Sequence, residues 1–298
     1  MHNRTLALIA LFFVNLIYGA NYVVAKGLMP GVIGPSGFIL LRVLGAVFLF
    51  WIVRLFYPEP VRKEDALRFL LCAVFGVALN QLMFFHGLMR TSPIHASIIM
   101  VATPILVLVI SGILIGERIG WGKLLGVAFG AVGALVLIFY HGDADRSASV
   151  LGDLCILINA CSFGIYLVMV KPLLQRYTAV TVMAWSFLIG SLLVLPFGAH
   201  DLWAVQWGVL TDPQIASMAF VVVMVTFVAY LLNTWALRFV NPSVVGTFIY
   251  LQPVLATAIT LFTSGKNANG LVQWACAAMI FVGVYLVNRA DSLSNDLR

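Results

Sequence analysis

Apolar residues run along this chain in blocks of about twenty, the length a helix needs to cross a bilayer's hydrocarbon core, with short polar breaks between them. Reading the runs against the breaks predicts ten such helices, over 5–26, 35–57, 65–89, 93–115, 119–140, 150–171, 178–199, 213–238, 242–264 and 269–289. The breaks leave no room for a soluble domain or a linker. The first run has the look of a secretory signal, because Arg4 precedes Leu6–Tyr18 and a Tyr-Gly-Ala step follows. It continues to Lys26, however, and has a counterpart later in the chain, so it reads as a span.

Composition agrees with the pattern. Of 298 residues, 62% are hydrophobic and 9% charged, against roughly 25% charged in ordinary soluble domains. A soluble enzyme, a nucleic-acid binder and a disordered tail are excluded. The net charge of +6 comes from basic residues placed between apolar runs rather than in one patch. The expected partners are therefore the lipid bilayer and a small-molecule substrate, with no nucleic acid. Cys72, Cys155, Cys161 and Cys276 all lie in apolar runs without a CxxC or Cys/His cluster, so they read as small hydrophobes and no metal is expected. No cofactor is expected either.

Where the basic residues fall sets an orientation. Arg4, Arg54, Arg62, Lys63, Arg68, Arg118, Lys123, Lys171, Arg176, Arg238, Arg289 and Arg298 lie on one side of the predicted spans, and Lys26, Arg90, Arg146 and Lys266 on the other. The positive-inside rule then puts both termini in the cytoplasm of a multi-pass plasma (inner) membrane protein.

The two halves resemble each other at an offset of about 145–149 residues. Tyr18-Gly19, with Lys26 seven residues after the glycine, matches Phe163-Gly164 with Lys171. Gly87-Leu88 matches Ala236-Leu237, Pro93 matches Pro242, and Pro104 matches Pro253. The units are expected over 1–142 and 143–298. Five spans per unit is an odd number, so the second unit enters the membrane from the opposite side. Such inverted repeats recur in secondary transporters.

In this order the residues resemble the EamA-type family of the drug/metabolite transporter superfamily. Tyr18-Gly19…Lys26 resembles its first-span signature, and Arg42 its second-span arginine. Gly87-Leu88-Met89-Arg90-Thr91-Ser92, Ala96, Pro104 and Gly116-Glu117-Arg118 are similar to its most recognisable block. Two positions depart from the pattern: Tyr18 stands where tryptophan is usual, and Gly265-Lys266 replaces the second Gly-Glu. The resemblance implies a ten-helix all-α membrane fold with a central cavity lined by spans 1, 3, 4, 6, 8 and 9.

Polar residues give a separate indication of the same lining, since an unsatisfied polar group facing lipid is costly. Span 1 carries Asn15, Tyr18 and Tyr22 at helical spacing, and span 6 carries Asn159, Ser162 and Tyr166. Span 8 has Thr226, Tyr230 and Asn233, and span 3 has Asn80, Gln81 and Phe84. Pro104 and Pro253, near the middle of their spans, withhold an N–H from Met100 and Ile249 and mark candidate hinges. Met100, Thr103, Tyr250 and Gln252 lie beside them as candidate substrate contacts. Interhelical packing bonds are the competing explanation for each of these polar groups.

Every Asp and Glu falls in or beside a loop, so a strongly cationic substrate would find no counter-ion at mid-membrane. Arg42 and Lys26 are the charged candidates, able to attract a carboxylate or to fix a helix. His86 and His95 read as packing donors. Gly122, Gly126 and Gly130 permit a close helix approach, within the chain or across a homodimer seam. No catalytic residues are expected, because HExxH, GxSxG and paired intramembrane aspartates are absent. The function expected is secondary transport, exporting a small amphipathic metabolite such as an amino acid by alternating access. Uptake of a nucleotide, sugar or cofactor, or a non-transporting receptor, are the alternatives.

Overall fold

The computed structural model describes residues 2–29, 31–91, 96, 99–141, 149–252, 254–255, 258 and 271–296. Within helices, the side chains of 2, 22–23, 25–27, 137–141, 271–273 and 294–296 lie outside that description. Among the described residues the chain is all-helical.

The first half begins with α1 (His2–Leu28) and α2 (Pro35–Phe56), the latter opened by Pro35 in its first turn. Then α3 (Ala66–Ala73) passes through a π-helical stretch, Val74–Ala78, into α4 (Leu79–Leu88). Helix α5 (Thr103–Ile115) has Pro104 in its first turn and ends at Gly116, whose φ of 64° is the left-handed conformation glycine adopts without penalty. Helix α6 is Trp121–His141.

The second half repeats this order. Helices α7 (Val150–Leu174) and α8 (Ala179–Trp203) come first, the latter capped by Thr178 accepting from Thr181 N–H. Helix α9 (Asp212–Phe220) starts at a Thr211/Gln214 capping box and runs through a second π-helical stretch, Val221–Val228, into α10 (Ala229–Ala236). Helices α11 (Pro242–Phe248) and α12 (Leu271–Asp296) complete it.

Among the described residues, seven helical stretches are long and apolar enough to cross a membrane, and two shorter apolar helices cover 99–115 and 121–136. Exposed Trp121 and Trp203 sit at helix ends, where amphipathic rings favour a membrane–water interface. The last helix runs seven residues beyond the predicted 289, and in that extension Asp291 accepts from Lys123 of α6 and from Asn241, which precedes α11.

Packing joins the halves helix by helix. α2 lies along α8, α6 along α12, α4 along α7 and α1 along α10. Ring contacts seal the α2–α8 seam: Phe50 with Phe187 at 5.4 Å and Trp51 with Trp185 at 5.5 Å between centroids. The glycine stripe of α6 is used within the chain. A Cβ at Gly122 would meet Ala290 at 2.9 Å, and one at Gly126 would meet the Gly283 carbonyl oxygen at 2.7 Å, so α6 and α12 touch nearly backbone to backbone.

Candidate functional site

The two π-helical stretches fall 147 residues apart, at matching places in the two halves (Val74 and Val221). A π turn breaks the i→i−4 ladder and leaves carbonyls to be satisfied by side chains. In the first half Ser162 Oγ donates to Phe75 O at 2.7 Å, and in the second Thr226 Oγ donates to its own Val221 O at 2.9 Å. The polar groups beside these turns meet between the halves.

Arg42 lies at the centre. It is 4% exposed, and its Nε donates to Thr226 Oγ at 3.0 Å. The rings of Phe38 and Phe85 lie 5.6 and 5.4 Å from its guanidinium carbon, so cation–π attraction replaces part of the lost hydration. Tyr18 and Tyr230 are within electrostatic range of Arg42, and Tyr18 also of Tyr166. Tyr230 packs edge-on against Phe187, with centroids 5.1 Å apart. Tyr166 is buried, its hydroxyl 2.9 Å from Thr234 Oγ, and its ring lies against Gly76 where a Cβ would not fit.

Gln81 is buried at 3% exposure, and among the described residues neither atom of its amide has a hydrogen-bond partner. It lies one helical turn before Phe85 and so on the side of α4 that meets Arg42. Phe84 packs against Phe85 with centroids 5.2 Å apart. Asn233, buried on α10, has no side-chain hydrogen bond among the described residues.

Other sequence-predicted residues are engaged with protein. Asn159 Nδ2 donates to Asn80 O at 2.7 Å, and Asn80 Nδ2 to Asn159 O at 3.5 Å, a reciprocal bond between α4 and α7. Asn15 accepts from Gln252 Nε2 at 3.0 Å and donates to Leu11 O at 2.7 Å. Tyr250 OH donates to Val101 O at 3.2 Å, and Thr103 Oγ lies 3.8 Å from Met100 Sδ.

Pro104 does interrupt its span. Helical structure lapses at Ala102 and restarts at Thr103, so the proline sits in the first turn of a new helix rather than inside a kinked one. Its counterpart Pro253 lies outside the described residues. The chain before it turns at Ile249–Tyr250 with i→i−3 bonds (Tyr250 N–H to Thr247 O, Gln252 N–H to Ile249 O). The side chains of Tyr22 and Lys26 and all of His95 likewise lie outside the described residues. His86 Nε2 is 2.9 Å from Ser36 Oγ.

Sequence reasoning missed three features: the pair of rings packed against Arg42, the hydroxyl of Thr234, and a buried ionic cluster at one end of the bundle. There Lys123 Nζ contacts Glu117 at 2.6 Å and Asp291 at 3.0 Å, and Arg4 contacts Asp291 at 3.1 Å. Ser243 donates to Glu117, Asn241 to Asp291 at 2.6 Å, and Lys171 to Asn241 Oδ1 at 2.5 Å and to Val240 O at 3.0 Å. Only Gly116-Glu117 hinted at this. Among the described residues, no three His, Cys, Asp or Glu side chains converge as metal ligands would. An open apolar cleft of about 510 Å³ between α2 and α9 is lined by residues such as Leu41, Phe48, Trp207 and Met218, and none of the Arg42 cluster lines it.

The chain is similar to known proteins in sequence and in fold. A solved crystal structure superposes with a TM-score of 0.76 at 17% identity, over 96% of this chain and 97% of that one, a likeness of fold. A probable terminal-alkyne amino-acid exporter of Streptantibioticus cattleyicolor is 26% identical over 76% of this chain and 75% of its own. An uncharacterized transporter of Synechocystis is 26% identical over 98% of this chain and 92% of its own. A WAT1-related protein of Arabidopsis thaliana is 22% identical over 80% and 72%. The model of the EamA-like transporter family matches residues 5–139 and again 150–289. With both halves matched, the chain belongs to the EamA-like transporter family.

Proposed function

We propose that this protein is a secondary transporter that exports a small amphipathic metabolite, such as an amino acid, by alternating access. The observation that carries the reading is the polar layer around Arg42, in which Arg42 bonds to Thr226, Ser162 to Phe75 O and Tyr166 packs on Gly76, each contact joining the two family-matched segments. A group bound there touches both halves, so their relative motion can pass it from one face to the other. The interruptions at Ala102 and at Ile249–Tyr250 are the flexible points. Tyr18, Gln81, Phe84, Tyr230 and Asn233 are the proposed substrate contacts. Asn80 and Asn159 hold α4 to α7, and Asn15 with Gln252 ties the interrupted segment to α1.

Ten spans in two inverted units fit the packing. Pairs formed by second with seventh and fifth with tenth spans map onto themselves when the halves are exchanged. The third–sixth and first–eighth pairs map onto each other. We place both termini in the cytoplasm and the protein in the inner membrane, on the distribution of Lys and Arg. The role is not catalytic.

Counterflow of labelled metabolites in proteoliposomes tests transport, with saturable flux expected for at least one small amphipathic compound. Tyr230→Ala and Asn233→Ala should abolish that flux while the protein still inserts. Normal flux in both variants removes α10 from the site.

A further inference from the structure

The observations around Arg42 carry the reading one step further, and the step rests on that reading only in calling the bound molecule a substrate. We infer that the Arg42 cluster is a carboxylate-binding site, which takes a monoanion with an apolar or aromatic body and does not require an amino group.

A guanidinium has five N–H donors in a planar fork. At Arg42 the Nε–H is given to Thr226, and among the described residues nothing accepts from the terminal nitrogens. No Asp or Glu lies within ion-pair distance of it among those residues. Charges this deep in a membrane protein are ordinarily paired, because burial penalises an uncompensated ion. Phe38 and Phe85, whose centroids are 5.5 Å apart, pack together on one side of the guanidinium, and neither offers an oxygen to its terminal nitrogens. The terminal nitrogens form the part of the fork that binds a carboxylate bidentately.

Gln81 is the second, independent observation. It is an amide buried with both polar atoms unpartnered among the described residues, on the side of α4 that meets Arg42. Buried amides in native proteins are nearly always hydrogen-bonded, so its Nε2 is a donor held without an acceptor. A carboxylate between Arg42 and Gln81 supplies the missing acceptor and the missing countercharge together. The half-buried Tyr18 and Tyr230 add ring surface for the body of the molecule.

An ammonium group finds no matching carboxylate. The buried acids Asp65, Glu117 and Asp291 are already paired with Arg176, Lys123 and Arg4 elsewhere. One cation answers one negative charge, so a phosphate dianion is disfavoured.

The test uses the full-length protein in lipid nanodiscs, with 3-phenylpropanoate, L-phenylalanine, L-phenylalaninamide and phenyl phosphate as probes. 3-Phenylpropanoate should bind at least as tightly as L-phenylalanine, both should raise the melting temperature, and the amide and the phosphate should bind at least about tenfold more weakly than 3-phenylpropanoate. Arg42→Gln should erase the preference for carboxylates. Should that variant fail to fold, Gln81→Leu keeps the test open: it replaces an unsatisfied amide by an apolar side chain of similar size. It should fold with undiminished thermal stability yet bind 3-phenylpropanoate about fivefold more weakly. The inference is overturned if the amide binds as tightly as the carboxylates, if neither carboxylate binds, or if Gln81→Leu keeps full affinity. Counterflow separates this from the transport reading. Flux confined to amines and neutral compounds overturns the carboxylate site and leaves transport standing, whereas carboxylate binding without flux of any compound does the reverse.

Discussion

At the scale of single residues, much rests on glycines that let rings approach the backbone. Tyr166 covers Gly76, and its hydroxyl meets Thr234. Gly76→Ala should therefore push the ring off that contact and cost about 1–3 kcal/mol, as overpacking does. Gly31→Ala, with nothing within 4 Å of its added carbon, should be near neutral. Thermal unfolding of the two variants checks the pair. Outside the membrane-spanning segments, Glu59 accepts from Thr178 N–H at 3.0 Å and from the Thr178 hydroxyl at 2.9 Å. Burial pushes its carboxyl up, but bonds from Thr181 and Thr178 and the nearby Arg54 outweigh this and hold it below the ordinary value. A lowered folded-state value means the contribution is present above the ordinary carboxylate range and is lost as pH falls through the lowered value. The stability gap between wild type and Glu59→Gln should accordingly narrow on acidification. Exposure to water keeps that gap below about 1 kcal/mol.

At the scale of elements, the helices were legible because lipid imposes long apolar runs; the polar stripes pointed to Tyr18, Tyr166 and Tyr230, and the charge within the second span to Arg42. The π-helical stretches were not legible. A π turn shifts the register of a helix without changing which residues are apolar, so Val74–Ala78 and Val221–Val228 look like any other run. Their signature is a hydroxyl near a freed carbonyl, and its geometry appears only in three dimensions. Thr226 serves two neighbours, donating to Val221 O and accepting from Arg42 Nε. Thr226→Val should cost about 1–3 kcal/mol by leaving both unsatisfied. Thr226→Ser should restore most of that stability, as read from melting temperatures in one detergent.

At the scale of the molecule, the ionic cluster of Arg4, Glu117, Lys123 and Asp291 ties the first helix, the loop after α5, α6 and α12 together at one end. Removing one member of a buried set strands the others. Lys123→Met should thus cost about 3–5 kcal/mol, measured by thermal or denaturant unfolding. Sequence showed charges gathered on that side but not that they interlock, because the partners lie up to 287 residues apart.

Cysteine accessibility labelling should place residue 26 outside and residue 171 inside; both on one side would refute the inverted arrangement. If that arrangement holds, two identical halves would make the inward- and outward-open forms equivalent by a two-fold rotation and equal in free energy. The Glu117 clasp breaks that degeneracy, since the second half has Gly265-Lys266 at the corresponding place. The form closed at the Glu117 end would then dominate at rest, and a ligand arriving from that end would first wait for a minor population. Its apparent affinity is reduced by the fraction of molecules open to it. One carrier would thus present two different affinities to the two compartments it separates.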